Sequence, residues 1–337
     1  TLYAHASATH AFENRGDLSL SEWQYQSRQA LIKLLGIEKI QAALPGYKPT
    51  AYLEKTENLE GFSREFWIIN TEPNVPLTMI VLRPDNIKGL LPLVITPHGH
   101  GRNHQAYAGV FLDSADREHV LSGERDIALQ AVREGYIAIA PTARAFGATR
   151  TESDLKDGKS FSCRIQLMQD LLVGRTPIGD RVWDLTKILD WAITSLPVDT
   201  SRIAITGNSA GGTSALFAAA VDTRYKVVVP SSYYSTIEGS IGVIAHCDCN
   251  YIPGLLDWGN LSDVGGLITP RPISIVHGVK DEIYPIEATR HAFKKLQKIY
   301  EIAGASQHVR LYEGKEGHRY YKAGAWDFIR KYFFQNQ

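Results

Sequence analysis

The 337 residues are 44% hydrophobic and 21% charged, with 15 Pro and 28 Gly, which is the make-up of an ordinary globular protein of one large domain or two small ones. Lys and Arg number 36 against 36 Asp and Glu with no block of either sign, which excludes nucleic acid or an anionic membrane as a partner chosen by bulk charge. Three cysteines, Cys163, Cys247 and Cys249, are too few and odd in number for a disulfide framework, and no run reaches the roughly 18 apolar residues of a membrane span.

These features favour a reducing, cytoplasmic location. The start, Thr1-Leu-Tyr-Ala-His5, lacks the basic and apolar regions of a signal peptide, and it also lacks an initiating Met, so it is compatible with removal of an upstream signal. Nothing in the pattern specifies an oligomeric state.

Residues 1–60 read as a helical extension. Ser19-Leu-Ser-Glu22 has the form of a capping box, and Trp23, Leu31, Leu34 and Leu35 follow near helical spacing until Gly36 stops the run. The catalytic domain is then expected over 61–337. From Phe62 to Arg83, β-branched and aromatic residues flank a turn at Glu72-Pro-Asn-Val-Pro76, which predicts an antiparallel pair at the sheet edge.

Leu91-Pro-Leu-Val-Ile-Thr96 predicts a buried strand that ends in Pro97-His98-Gly99-His100-Gly101. A helix over 126–134 stops at Gly135, and Tyr136-Ile-Ala-Ile-Ala140 is the next strand, so helix and strand alternate as in a parallel sheet. Residues 142–178 look irregular and able to cover a site; Val182, Leu185, Leu189 and Ala192 then mark a helix.

The stretch Arg202-Ile-Ala-Ile-Thr-Gly-Asn-Ser209-Ala-Gly-Gly-Thr213 is a strand, a sharp turn and a small-residue helix start. A serine held there has its hydroxyl lifted above the sheet end, and Gly207 and Gly211 remove side chains that would collide. Beyond it come a strand at 227–229, a second cover segment over 231–269, a strand at 273–276, a helix over 287–303, a strand at 309–312 and a closing helix marked by Trp326, Ile329 and Phe333. The order describes a doubly wound, mostly parallel α/β sheet flanked by helices.

A serine hydroxyl is a weak nucleophile at neutral pH and needs an imidazole to take its proton and a carboxylate to orient that imidazole. In this architecture the chain order is serine, acid, histidine, each on a loop after a strand. That order selects Ser209, Asp281 and His318. Glu282 competes with Asp281 but lies further from the strand end, whereas His277 and His308 sit in or before strands and are expected to be packed or exposed.

The tetrahedral oxyanion needs two donors, assigned to the amides of Ala210 and His100, with Gly99 the competing donor. No cofactor and no metal are expected. His98, His100 and His104 lie too close in sequence to converge on one ion, and His246-Cys-Asp-Cys249 lacks a second pair of zinc spacing, so buried thiols are the plainer reading. Trp258, Tyr233, Tyr234 and Tyr251 are candidates for a sugar platform on the second cover segment.

With these residues in place, residues 61–337 resemble the α/β-hydrolase superfamily. Cys247-Asp-Cys-Asn-Tyr-Ile-Pro-Gly254, Pro270-Arg-Pro272 and Gly317-His-Arg319 look like a bacterial branch related to dienelactone hydrolases and labelled acetyl xylan esterase-like. The resemblance implies a cofactor-free serine carboxylesterase for short-chain acyl esters, acetylated or methyl-esterified carbohydrate among them. Dienelactone hydrolases carry a cysteine nucleophile, so Ser209 argues against their reaction. An acylaminopeptidase-like serine peptidase and a non-catalytic binding member are the alternatives; the first usually carries a large propeller, and the second normally lacks a triad residue.

Overall fold

A computed structural model describes residues 2–85, 88–101 and 103–334. Its centre is a sheet in which nine strands are described: β1 (Thr50–Leu59), β2 (Phe62–Glu72), β3 (Val75–Pro84), β4 (Leu91–Ile95), β5 (Ile137–Pro141), β6 (Val198–Asn208), β7 (Val227–Ser231), β8 (Ile273–Gly278) and β9 (Val309–Gly314). They lie in the order β1-β2-β3-β5-β4-β6-β7-β8-β9. The β1-β2, β2-β3 and β3-β5 pairs are antiparallel, and every later pair is parallel.

Among the parallel strands, β4, β5, β7 and β8 are short and buried at nearly every position. Burial on both faces is what helices packed on each side of a parallel sheet impose. One face is covered by the helices Pro177–Ser195, Ala210–Val221 and Ile286–Ile302, and the other by Ile127–Arg133 and Lys322–Phe334. The expected doubly wound α/β sheet is present.

The N-terminal region begins as expected and ends differently. Ser19 caps the helix Leu20–Leu34, accepting from the Glu22 amide while Glu22 reaches back to the Ser19 amide, and Gly36 follows at φ 76°. Trp23, Leu31 and Leu35 are buried in the same apolar cluster as the sheet and its helices. Residues 50–59, expected within the helical extension, instead form the edge strand β1, so the predicted hairpin is the second and third strand rather than the edge. The strand is mostly exposed and carries Glu54, Lys55 and Glu57, so backbone pairing to β2 holds it without an apolar alternation to announce it.

The two cover segments are also more regular than their composition suggests. Residues 142–178 contain the helices Glu152–Lys156 and Cys163–Val173, and 231–269 contain Leu255–Trp258 and Leu261–Gly266. Below the first, Arg144 bonds both carboxylate oxygens of Asp184 and pairs with Asp180 and Glu72, and Arg175 pairs with Asp180 and Glu72 as well. Breaking such a partly buried network strands a charge, so this cover is anchored to the helix Pro177–Ser195 rather than draped over it.

Candidate active site

The ends of β4, β6, β8 and β9 meet at one cavity of about 510 Å³, lined by Gly99, His100, Tyr107, Arg125, Phe161, Ser209, His246, Asp248, Tyr284 and His318 among others. That volume falls within the range of small-molecule sites, about 300–1,000 Å³. Ser209 stands between β6 and the helix Ala210–Val221 with φ 58° and ψ −122°. For a non-glycine residue this conformation costs about 1–3 kcal/mol and persists only where the surroundings impose it.

The surroundings here are close-packed backbone. A Cβ on Gly207 would lie 2.5 Å from the Pro97 carbonyl oxygen, and one on Gly211 would be closer still. The turn after β6 is therefore pressed against the loop after β4, which brings Ser209 beside Gly99 and His100. The Ser209 amide donates to the Ser231 carbonyl at 2.9 Å, fixing the turn to the end of β7.

Asp281 and His318, on the loops after β8 and β9, are joined by a 2.8 Å hydrogen bond from His318 Nδ1 to Asp281 Oδ2. Asp281 Oδ1 accepts the amides of Ile283 and Tyr284, each at 3.0 Å. Burial alone would raise this carboxyl; the bond and charge of His318 and the Tyr284 amide outweigh it and hold the group below the usual carboxylate range. The Tyr284 ring stacks on the His318 imidazole with centroids 6.0 Å apart. Among the described residues no hydrogen bond joins Ser209 Oγ to His318, although both line the same cavity, and such bonds often tighten only when substrate is bound.

The other candidates separate cleanly. Glu282 is exposed, His277 is buried with Nε2 2.7 Å from the Tyr284 carbonyl oxygen, and His308 lies at the surface beside the Pro270 carbonyl. The Gly99 amide donates to the Tyr107 hydroxyl at 3.3 Å, whereas the amides of His100 and Ala210 make no hydrogen bond among the described residues. Ala210 opens its helix, where the first amides have no intrahelical acceptor. Both amides are therefore without an internal acceptor among the described residues.

The three neighbouring histidines do not converge. His98 donates from Nδ1 to the Gly99 carbonyl and accepts the Ala143 amide at Nε2, and burial lowers its pKa to about 4, so both ring nitrogens are occupied in the neutral form. His104 is buried against the Thr142 hydroxyl and lowered by burial to about 3. The His100 ring turns instead toward the sulfurs of Cys163 and Cys249.

The proposed aromatic platform is not part of this cavity. Tyr233 and Tyr234 are fully buried, because the chain leaving β7 turns them under the cover into the core. Trp258 is buried with its indole NH on the Ser27 carbonyl, and Tyr251, though exposed, lines a separate cavity with Ile237 and Leu255. The side chains that do face the cavity, Arg125, Phe161, His246, Asp248 and Tyr284, carry no local sequence signature. Arg125 contacts His119 at 3.1 Å and the His318 carbonyl at 3.5 Å and has no carboxylate partner among the described residues.

Comparison with known proteins places the chain among hydrolases. A family model described as "Abhydrolase family" matches residues 6–324, which takes in nearly all of the N-terminal region as well as the sheet. YtaP of Bacillus subtilis (strain 168), provisionally named as a hydrolase, is 25% identical over 303 residues, covering 87% of this chain and 93% of its own. A protein of Bacteroides fragilis NCTC 9343, provisionally named an acetyl xylan esterase, superposes with a TM-score of 0.78 at 22% identity, over 93% of this chain and 80% of that one. A glucuronoyl esterase from Solibacter usitatus superposes with a TM-score of 0.69 at 13% identity, over 98% and 97% of the two chains. These likenesses establish the shared α/β-hydrolase fold.

Proposed function

Because this chain belongs to the Abhydrolase family, we propose that it is a serine carboxylesterase that removes short acyl groups, or opens methyl esters, on carbohydrate. The observation that carries the reading is the Asp281-bonded His318 lining one cavity with the strained Ser209, together with the amides of His100 and Ala210, which have no hydrogen bond among the described residues. His318 takes the Ser209 proton as the hydroxyl oxygen attacks the ester carbonyl, and Asp281 stabilises the imidazolium that forms. The two amides hold the oxyanion. His318 then returns the proton to the leaving alcohol, and water repeats the sequence in reverse to free the acid from Ser209.

A carbohydrate alcohol is supported by the lining of the cavity. Arg125, His119, His246 and Asp248 offer polar groups for hydroxyls, and the exposed Phe161 offers a face for a sugar ring. Esterases on carbohydrate also stand among the proteins that share the fold, acting on acetyl xylan and glucuronoyl esters by name.

The cavity beside Ser209 is lined largely by polar groups such as His119, Arg125, His246, Asp248 and His318, so kcat/KM is expected to peak for acyl groups of about two to four carbons and to fall steeply by about eight. A true acyl tunnel would gain about 0.8 kcal/mol for each buried methylene and show the opposite trend. A p-nitrophenyl ester series, run beside acetylated sugars, methyl uronates and a peptide amide, reads the outcome. Specificity rising along the series, or faster cleavage of the amide than of any ester, would overturn the reading.

A further inference from the structure

Beside the oxyanion loop, four side chains from three distant parts of the chain converge. His100 comes from the loop after β4, Cys163 from the first residue of the helix Cys163–Val173, and Cys247 and Cys249 from the turn around Asp248–Asn250. Their ligand atoms all lie within 4.8 Å of one another. His100 Nε2 is 3.3 Å from Cys249 Sγ and 3.7 Å from Cys163 Sγ, and Cys249 Sγ is 3.6 Å from Cys247 Sγ.

Those three separations match edges of a metal-sized tetrahedron, and the other three are no longer than 4.8 Å. Zinc bonds of about 2.3 Å to sulfur and 2.0–2.1 Å to nitrogen, at tetrahedral angles, require about 3.8 Å between sulfurs and about 3.6 Å between nitrogen and sulfur. A disulfide would instead need about 2.05 Å between one pair of sulfurs and would leave the third thiol and the imidazole without a purpose. All three cysteines are free.

The charge around the cluster points the same way. Arg181, 3% exposed, directs Nη1 to Cys249 Sγ at 3.3 Å and Nη2 to Cys163 Sγ at 3.6 Å. Among the described residues its side chain has no other hydrogen bond, and its Nε has no partner at all. A buried guanidinium whose hydrogen bonds go only to neutral thiols is costly. Three thiolates with one divalent cation carry a net charge of −1, and Arg181 neutralises it.

We propose that His100, Cys163, Cys247 and Cys249 bind one zinc ion. Binding displaces the three thiol protons to solvent and leaves the imidazole coordinating through Nε2. Four protein ligands leave no open coordination position, so the ion is structural and does not touch the ester. It ties both cover segments to the loop that carries the His100 amide, fixing the cavity wall and that oxyanion donor together. The metal site stands independently of the esterase reading, because its primary readout is metal content.

The test is metal analysis of the purified, reduced full chain after loading with zinc sulfate and desalting, followed by cobalt substitution. About one zinc per chain is expected, with the visible bands of tetrahedral cobalt and thiolate-to-cobalt charge transfer in the substituted protein. Cys247→Ser, at the half-exposed rim of the cluster, should lower retained zinc to about a tenth or less with the far-ultraviolet dichroism unchanged. Should that variant fail to fold, the wild-type thiols decide: the proposal requires that all three resist alkylation until a chelator is added under native conditions. Absence of stoichiometric zinc, a disulfide between any two of the three cysteines, or undiminished zinc in the folded Cys247→Ser protein would overturn it.

Discussion

Replacing Ser209 by alanine is expected to lower ester turnover by about 10³-fold or more while leaving the fold intact. The loss is large because the covalent route disappears, and only the amide donors and substrate binding remain to speed direct attack by water. The fold survives because the Ser209 side chain makes no capping hydrogen bond to the helix it precedes, and the contacts that hold the turn come from its backbone. Alanine accepts the same strained conformation, since the close packing at Gly207 and Gly211 that imposes it is unchanged. Steady-state rates on a short p-nitrophenyl ester, with dichroism and melting compared to wild type, read the result. A folded variant with near wild-type turnover, after titration excludes contaminating enzyme, would remove Ser209 from the mechanism.

Asp281→Asn is expected to cost about 10²- to 10⁴-fold in kcat with KM little changed. The substituted carboxamide retains an oxygen for the Ile283 and Tyr284 amides but turns a donor toward His318 Nδ1, where the carboxylate accepted. The imidazole then carries its proton on the nitrogen that should receive the serine's, and its cation loses its counter-charge. Glu282→Gln, changing an exposed side chain on the next residue, should alter kcat by less than about twofold. Steady-state kinetics of the two variants side by side decide the matter, and the reverse pattern would move the acid to Glu282.

The Asp281 carboxylate also ties stability to pH. Because the folded carboxyl of Asp281 is held below its unfolded value of about 3.9, its contribution is present above that pH and is lost as the pH falls through the lowered folded value.

The parts of the site legible in the sequence are those whose chemistry is written into a local turn. The glycines around Ser209, and the strand ends that precede Asp281 and His318, are local patterns, and the structure brings Ser209 and His318 to one cavity with Asp281 bonded to His318 beneath its surface. The strand β1 is not legible in this way, because an edge strand held by backbone bonds needs no apolar alternation. The aromatic platform is misplaced because a run of Tyr in a connection does not reveal which way the chain turns, and here Tyr233 and Tyr234 turn into the core. Sequence spacing does not link His100, Cys163 and Cys249, because 63 residues separate the first two and 149 the first and last, and no local zinc spacing spans such gaps.

The central claim, that Ser209 carries the acyl group, is tested most directly by trapping it. The protein is treated with a stoichiometric fluorophosphonate, and with a short acyl ester quenched in acid during turnover, and each adduct is located by peptide mass spectrometry. The account predicts one adduct per chain on the peptide containing Ser209, lost in Ser209→Ala. An adduct on another residue, or full turnover with Ser209 unmodified at every time point, would contradict it.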